Sequence, residues 1–230
     1  MMIQIEEVSK IFNEGTTQAF EALKSVNLEV AKGETIILSG VSGSGKSTLL
    51  SLISALDKPS SGKIIVNNEL ISKLPDLHAS MYRAKSIGVV FQNFNLLESL
   101  NVEENVILPL INSGLDISVV RAMAAKSMEI SAISHKAQQQ VKELSGGEKQ
   151  RCAIARALVH EPELIICDEP TANLDKANSL NFIEVLESLH TMGKTIIIAT
   201  HDPLFETLSF VNRVLHMEDG KIVDKNSDRR

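Results

Sequence analysis

A glycine-rich segment at residues 40–48 limits the folds open to this chain more than any other part of its sequence. It reads GVSGSGKST, follows the apolar, β-prone run 35–38 and precedes a helical pattern that begins near Lys46. A strand, a glycine-rich turn and a helix N-terminus in that order form a phosphate cradle, because glycines let backbone N–H groups approach an anion closely. Lys46 supplies a positive charge for the β- and γ-phosphates, and Ser47 supplies a hydroxyl for Mg²⁺. The segment therefore predicts a phosphate-binding loop, against the simpler interpretation of a turn that binds nothing.

Composition narrows the class of protein and of partner. A chain of 230 residues fits one large domain, or one domain that carries a subdomain. The net charge of −6 and the low aromatic content of 3% argue against nucleic acid as a partner, since such binding uses basic surface and stacking aromatics. Cys152 and Cys167 lie far apart and show no metal-ligand spacing, which favours a reducing cytosol. The N-terminus is unlike a signal peptide and the apolar runs are strand-sized, so we expect a cytoplasmic protein without membrane spans.

Strands and helices alternate along most of the sequence. The pattern predicts strands at 2–8, 26–30, 63–66, 87–91, 164–167 and 195–200, and a terminal hairpin at 211–216 and 221–223. A short helix is predicted near Leu74, Leu77 and Met81, whose spacing of i, i+3 and i+7 is consistent with one helix face. Residues 93–143 read as helical, with no strong strand signal. The sequence thus predicts an α/β domain with a helical insertion.

Two carboxylates follow the apolar run 164–167. Asp168 and Glu169 leave the sheet at the carboxyl end of a strand, where ligands of open α/β sheets gather. We expect Asp168 to hold Mg²⁺ and Glu169 to act as the general base that polarises an attacking water. An ordinary strand-to-loop exit is the alternative interpretation.

A second glycine-containing segment, LSGGEKQ at residues 144–150, opens a predicted helix. Ser145 and Glu148 have the spacing of a capping box, which is the purely structural interpretation. A cap alone does not need two consecutive glycines, and Gly146 and Gly147 allow close approach to a helix N-terminus. Two phosphate-binding segments in one chain indicate either two nucleotides or two chains that share each nucleotide.

These segments together resemble the ABC-transporter ATPase subunits. Residues 40–48, Gln92 after its strand, 144–150, 164–169, the ANLD run at 172–175 and His201 occur in the order typical of that family, and the match covers nearly the whole chain. The runs FQNFNLL at 91–97 and ENVILPL at 104–110 resemble the branch of lipoprotein-release, macrolide-efflux and cell-division ATPases. The resemblance implies an α/β fold: a P-loop NTPase core with a mostly parallel sheet, an N-terminal antiparallel β subdomain and a helical subdomain inserted at 93–160 within a single domain, 1–230.

The resemblance also implies roles for individual residues, with ATP and Mg²⁺ as ligands. Lys46 and the loop would hold the phosphates, Ser47 would bind Mg²⁺ and Thr48 would lie by the α-phosphate. Gln92 would sense Mg²⁺ and the attacking water, and His201 would bind the γ-phosphate and orient Glu169. Ser145 and Gly147 would complete the site of a second copy in a head-to-tail dimer that Asp175 shapes, and Phe12 would stack on adenine where the family commonly has Tyr. The implied binding set is Phe12, Gly40, Ser42, Gly43, Ser44, Gly45, Lys46, Ser47, Thr48, Ser145, Gly146, Gly147 and Asp175, with Ser47, Gln92 and Asp168 for the metal.

Several functions remain open at this point. An ATPase that drives a separate integral membrane subunit, as a peripheral protein on the cytoplasmic face of the membrane, is the first. A mechanotransmitting ATPase that regulates an extracytoplasmic partner without moving substrate is the second. A phosphate-loop kinase is a third, which the second glycine pair disfavours. Soluble relatives of translation or chromosome maintenance need duplicated domains or long coiled coils, which do not fit in 230 residues.

Overall fold

The computed structural model describes residues 1–223, and strands and helices alternate along them as the sequence predicts. The chain divides into two compact units, Met1–Arg83 with the chain from Thr195 onward, and Ala84–Lys194. In chain order the main elements are β1 (Ile3–Phe12), β2 (Phe20–Val30), β3 (Thr35–Ser39), α1 (Lys46–Ile53), β4 (Ser61–Val66), β5 (Glu69–Leu70), α2 (Asp76–Ser86), β6 (Ile87–Val90), α3 (Val102–Ile107), α4 (Ile117–Ile130), α5 (Gly146–Leu158), β7 (Leu164–Asp168), α6 (Lys176–Thr191), β8 (Thr195–Thr200), β9 (Arg213–Glu218) and β10 (Lys221–Val223). Short 3₁₀ turns occupy Leu108–Leu110, Ser134–Lys136, Val141–Glu143 and Pro203–Thr207.

The first unit begins with an antiparallel sheet in the order β2-β1-β4-β5. Strand β1 pairs with β2 through Ile3 and Val30 and with β4 through Ile3 and Val66, all of which are buried. Alternating apolar side chains fix this register, because a slip of one residue would turn them towards water. The implied N-terminal antiparallel subdomain is therefore confirmed, although β1 and β2 are longer than the predicted strands.

A second set of strands in the same unit is mostly parallel. Strand β3 runs parallel to β8 and to β9, and β10 completes the terminal hairpin by pairing antiparallel to β9. All five residues of β3 are buried, as are all six of β8, which is typical of parallel strands covered on both faces. Ser39 and Thr200 are partners in register. The carboxyl ends of β3 and β8 therefore lie side by side.

The second unit contains the parallel pair β6–β7 and the helices α3 to α6. Helices α3, α4 and α5 share an apolar core, and between residues 93 and 160 the described secondary structure is helical apart from an isolated bridge between Asn101 and Gln140. Ile133 and Val141 are fully buried in this core, although they lie in a stretch with little apolar periodicity. The buried members of the core are Val102, Val106, Leu110, Val120, Ala124, Met128, Ile133, Val141, Leu144, Cys152, Ala155 and Val159. The boundaries 93 and 160 of an inserted subdomain remain a prediction.

Helix α2 is present as predicted, but the face that Leu77 and Met81 share is not its buried face. Leu77 and Met81 are 72% and 62% exposed, whereas Ala79 and Tyr82 are buried. The Tyr82 hydroxyl donates a hydrogen bond to the carbonyl of Ile53, 3.1 Å away. The large ring of Tyr82, with a partner for its polar end, therefore defines the buried face instead of the two aliphatic side chains.

Asn105 is a buried polar residue that fixes the loop before α3. Its side chain is fully buried; it accepts from the Leu97 amide at 2.8 Å and donates to the carbonyls of Leu97 and Asn101, each at 3.0 Å. One amide thus satisfies three backbone groups of a loop that forms no sheet. The loop after the FQNF run depends on this side chain for its shape.

We predict that Asn105→Leu lowers the free energy of unfolding by about 1–3 kcal/mol, since it removes three hydrogen bonds and takes away the side-chain acceptor of the Leu97 amide. Urea unfolding followed by circular dichroism measures the change. Asn112→Leu, at an exposed position of the same unit, is the matched control and should change the stability by less than about 0.5 kcal/mol. Equal effects of the two substitutions would contradict this role of Asn105.

Candidate functional site

The glycine-rich loop leaves β3 and enters α1, as the sequence predicts. Gly45 forms the N-cap of α1 with φ of 104°, a conformation that residues with a Cβ rarely adopt. A Cβ there would lie 2.9 Å from the Ala22 carbonyl oxygen of β2. The Lys46 side chain is 5% exposed, and its ammonium donates to the carbonyls of Gly40 at 2.6 Å and Val41 at 3.2 Å. These two hydrogen bonds place the positive charge of Lys46 beside the first residues of the loop.

The N-terminus of α1 fits a phosphate group. Its N-cap residue, Gly45, provides no side-chain cap, and its first turn contains no acidic residue, so its N–H groups and dipole face no competing anion from that turn. The Ser44 hydroxyl is buried in the loop without a hydrogen-bond partner among residues 1–223. Ser42, Gly43 and Ser47 are exposed. The loop therefore presents hydrogen-bond donors, one buried and several accessible, beside a lysine charge.

His201 directly follows β8 and is exposed. Since Ser39 and Thr200 are register partners, His201 and Gly40 leave neighbouring parallel strands at the same level. The Thr200 hydroxyl accepts from the Asp202 amide at 3.0 Å, and the Ser39 hydroxyl donates to Glu206 at 2.6 Å. These bonds hold the chain that follows β8 against the end of β3. The first unit thus brings the histidine to the edge of the sheet from which the phosphate-binding loop starts.

Phe12 lies at the end of β1, directly opposite Phe20 on β2. Both rings are partly exposed, at 38% and 58%, and the Lys10 ammonium lies 5.0 Å from the centroid of the Phe12 ring. Phe20 is two residues from Ala22, whose carbonyl lies against Gly45. The hairpin therefore carries an exposed aromatic pair within a short stretch of strand from the phosphate-binding loop. Sequence reasoning identified Phe12 and missed Phe20, because the pairing of β1 with β2 was needed to find it.

In the second unit, Gln92, Asp168 and Glu169 lie at the ends of β6 and β7. Val90 and Cys167 are register partners, so Asp168 ends its strand at the edge where the chain continues to Gln92. Glu169 adopts φ of 44°, an uncommon conformation for a residue with a side chain. Asn173 donates to the Gln92 carbonyl at 3.0 Å. The chain after β6 and the chain after β7 are thus joined by a hydrogen bond between Asn173 and Gln92.

Ser145 is the N-cap of α5, and the predicted capping box is confirmed. The Ser145 amide donates to the Glu148 carboxylate at 2.8 Å, and the Glu148 amide donates to the Ser145 hydroxyl at 3.4 Å. The Ser145 amide and hydroxyl, as hydrogen-bond donors, hold the pKa of Glu148 below its usual value, and Lys136 at 3.2 Å adds to this. The N-terminus of α5 is therefore capped by its own side chains and carries an exposed serine.

Gly147 lies close to the side chain of Asn178. A Cβ on Gly147 would lie 2.3 Å from the Asn178 side-chain oxygen. Asn178 in turn donates to the carboxylate of Asp175, the N-cap of α6, from its backbone amide at 2.8 Å and from its side-chain nitrogen at 3.0 Å. A Cβ on Gly146 would meet only the Asn173 carbonyl, at 3.7 Å. Sequence reasoning did not single out these two asparagines as contacts: Asn173 bonds to Gln92, while Asn178 bonds to Asp175 and lies beside Gly147.

The predicted site residues fall into two groups, one in each unit. Phe12, the loop 40–48 and His201 belong to the first. Gln92, the segment 145–147, Asp168, Glu169 and Asp175 belong to the second. Among residues 1–223, no group of three or more His, Cys, Asp or Glu side chains could hold a metal by itself. The same part of the chain contains no helix with the length and apolar character of a membrane span.

Comparison with known proteins points to one family. The model of the family described as ABC transporter matches residues 23–172. The chain is 40% identical over 223 residues to a lipoprotein-releasing system ATP-binding protein, LolD, of Geobacter metallireducens, covering 96% of this chain and 98% of that protein. It is 39% identical over 231 residues to a macrolide export ATP-binding/permease protein, MacB, of Chlorobaculum tepidum, of which it spans 35%.

Solved structures agree with this assignment. The dimeric structure of the bacterial ABC transporter cassette MJ0796 superposes with a TM-score of 0.88 at 36% identity, covering 97% of each chain. A post-hydrolysis dimer of the same cassette, bound to ADP and Pi, gives the same values. The α/β fold implied by the sequence is thereby confirmed.

We predict that Glu148→Gln lowers the free energy of unfolding at pH 7 and that this loss becomes smaller as the pH falls towards 3. A lowered pKa in the folded state means that Glu148 stabilises the fold above its ordinary value of 4.5 and loses this effect as pH falls below it. The glutamine keeps the capping geometry but has no charge. Urea unfolding from pH 7 to pH 3 should show the stability difference between wild type and variant shrinking as the pH falls. A difference that does not vary with pH would contradict the assignment.

Proposed function

This chain belongs to the ABC transporter family, and we infer that the protein is the subunit that binds and hydrolyses ATP. The observation that carries this inference is the loop 40–48, with Gly45 in a left-handed conformation and Lys46 held at its mouth. The post-hydrolysis state of the related cassette, which contains ADP and Pi, supports the same reaction for this chain. The reaction is attack of water on the γ-phosphate, which enzymes accelerate mainly by positioning and by charge stabilisation.

We assign phosphate binding to the loop and to the N-terminus of α1. The backbone amides of residues 42–47 would bind the phosphate oxygens, and the Lys46 ammonium would exchange its contacts with the Gly40 and Val41 carbonyls for the β- and γ-phosphates. Thr48 would lie near the α-phosphate. Ser47, Gln92 and Asp168 would hold Mg²⁺, since a hydroxyl, an amide and a carboxylate provide the oxygen ligands that it prefers. When bound, Mg²⁺ neutralises phosphate charge.

We propose that Glu169 is the general base, which accepts the proton of the attacking water. Its left-handed backbone is supported by the Ala172 amide, which donates to the Glu169 carbonyl at 3.2 Å, so the side chain projects from a defined turn. Gln92, whose carbonyl Asn173 holds, would orient the water. His201 would donate to the γ-phosphate and orient Glu169. Catalysis by these residues therefore consists of removing one proton and of holding the reactants in place.

We propose that two copies act together. Ser145, Gly146 and Gly147 would bind the γ-phosphate held by a second copy, and Asp175 would shape the contact between the copies. The dimeric state of the related cassette supports this arrangement. An integral membrane subunit would receive the conformational change, which would place the protein at the cytoplasmic face of the membrane. Relatives named for lipoprotein release and macrolide export favour transport over mechanotransmission.

Glu169→Gln should reduce phosphate release by at least about 100-fold, because a general base contributes a factor of this order. ATP should still bind, since the phosphate-binding loop is unchanged. Phosphate release with a coupled colorimetric assay and ATP affinity by titration calorimetry measure the two effects. Glu163→Gln, at the opposite end of β7, is the matched control and should retain activity. Normal phosphate release by the Glu169 variant would exclude it as the base.

Phe12→Ala should weaken ATP binding by the monomer by about 5- to 100-fold, the effect of losing one stacked base. Phe20→Ala, on the opposite position of the hairpin, should have a smaller effect if Phe12 is the ring that stacks on adenine. Calorimetric titration of each variant with ATP and with inorganic triphosphate separates adenine contacts from phosphate contacts. A larger loss in the Phe20 variant would transfer the assignment to Phe20.

A further inference from the structure

Helices α5 and α6 of the second unit face each other across a small cavity. Each contributes residues at the spacing i, i+3, i+4 and i+7, so one face of each helix lines it. It has a volume of about 10 Å³, enough for about one water molecule. The lining residues are Gly147, Gln150, Arg151, Ile154, Leu174, Asn178, Asn181, Phe182 and Val185.

Among the residues that line this cavity, Gln150 has a buried side-chain amide that lacks a hydrogen-bond partner in the described part of the chain. Its side chain is 2% exposed, and neither its amide nitrogen nor its amide oxygen has a hydrogen-bond partner among residues 1–223. Buried amides in folded proteins are nearly always bonded to protein or to ordered water. An aliphatic side chain at this position would pack beside Ile154 and Phe182 without desolvating any polar group. The amide of Gln150 therefore indicates a polar partner in the cavity.

The neighbouring polar groups are on α6. Asn178 uses its side-chain nitrogen on Asp175, while its oxygen is the group nearest to Gly147. Asn181, one turn further along the helix, lines the same cavity. Arg151 is directed elsewhere, since it donates to the Ser131 carbonyl at 3.4 Å. A water between Gln150 and the asparagine amides would give the buried amide partners on the opposite helix.

Because of the position of Gln150, such a water would connect the N-termini of α5 and α6. Gln150 lies one turn after Gly147 on α5, and Asn178 is bonded to the N-cap of α6. A bridge at this place ties the start of α5, with Ser145 and Gly147, to the start of α6, with Asp175. At the N-terminus of α5, Ser145 and Gly147 are assigned above to the nucleotide of the second copy. At the N-terminus of α6, Asp175 is assigned to the contact between the copies.

We propose that Gln150 is a positioning residue for ATP hydrolysis. Through one buried water shared with the Asn178 and Asn181 amides, it fixes the N-terminus of α5 against the N-terminus of α6. This inference rests on the proposed function of Ser145, Gly147 and Asp175. Gln150 touches neither the nucleotide nor the reacting water, so its loss affects turnover and dimer formation while leaving the binding of ATP by a single chain unchanged.

The decisive variant is Gln150→Met, which keeps the length and volume of the side chain and removes its hydrogen-bonding groups. We expect kcat for ATP hydrolysis to fall by about 3- to 10-fold, the effect of one net hydrogen bond. The affinity of the single chain for ATP should stay within about twofold. In the Glu169→Gln background, ATP-dependent dimers should require about 3- to 10-fold more protein, as measured by analytical ultracentrifugation. Gln140→Met, at an exposed glutamine of the same unit, is the matched control and should change none of these.

A second measurement does not depend on any variant. A crystal structure of the wild-type chain at a resolution that shows waters should contain one within hydrogen-bond distance of the Gln150 amide. An empty cavity, or a direct bond from Gln150 to α6, would overturn the water bridge. Unchanged kcat and dimer formation in Gln150→Met, with an active wild type, would overturn the positioning role alone. Absence of hydrolysis in the wild type would overturn the proposed function and this inference together.

Discussion

The parallel pairing of β3 with β8 is the constraint on which the first unit depends. Because Ser39 lies opposite Thr200, the phosphate-binding loop and His201 start from one edge of one sheet. The pairing of β6 with β7 does the same in the second unit for Gln92, Asp168 and Glu169. Parallel pairing leaves the carboxyl ends of neighbouring strands at one level, so residues distant in sequence become neighbours without any direct bond between them. The chemistry of the site therefore depends on strand register before it depends on any side chain.

The sequence predicted those parts of the fold that follow from local rules. The glycine loop, the buried strands and the capping box of Ser145 with Glu148 each occupy a few consecutive residues whose types determine their conformation. The family order of these segments then implied the architecture. The loop 40–48 and the carboxylates 168–169 could be placed at strand ends for the same reason.

What the sequence did not predict depends on contacts between distant residues. The opposite position of Phe12 and Phe20 requires the register of β1 and β2, which contains irregular steps. The fit of Gly147 against Asn178 requires the packing of two helices. Helix α2 is a further example. The spacing of its apolar residues correctly predicted a helix, but Leu77 and Met81 are exposed because Tyr82 fills the buried side. A spacing defines a face, and only tertiary packing decides which face is covered.

The hydrogen bonds from Lys46 to the Gly40 and Val41 carbonyls also bear on the thermodynamics of binding. They order the loop and the long lysine side chain through contacts within the fold itself. The conformational entropy of these groups is therefore lost during folding and need not be lost again on association. Less of the free energy of the phosphate contacts is then spent on ordering the loop, and more of it remains available for moving other parts of the protein.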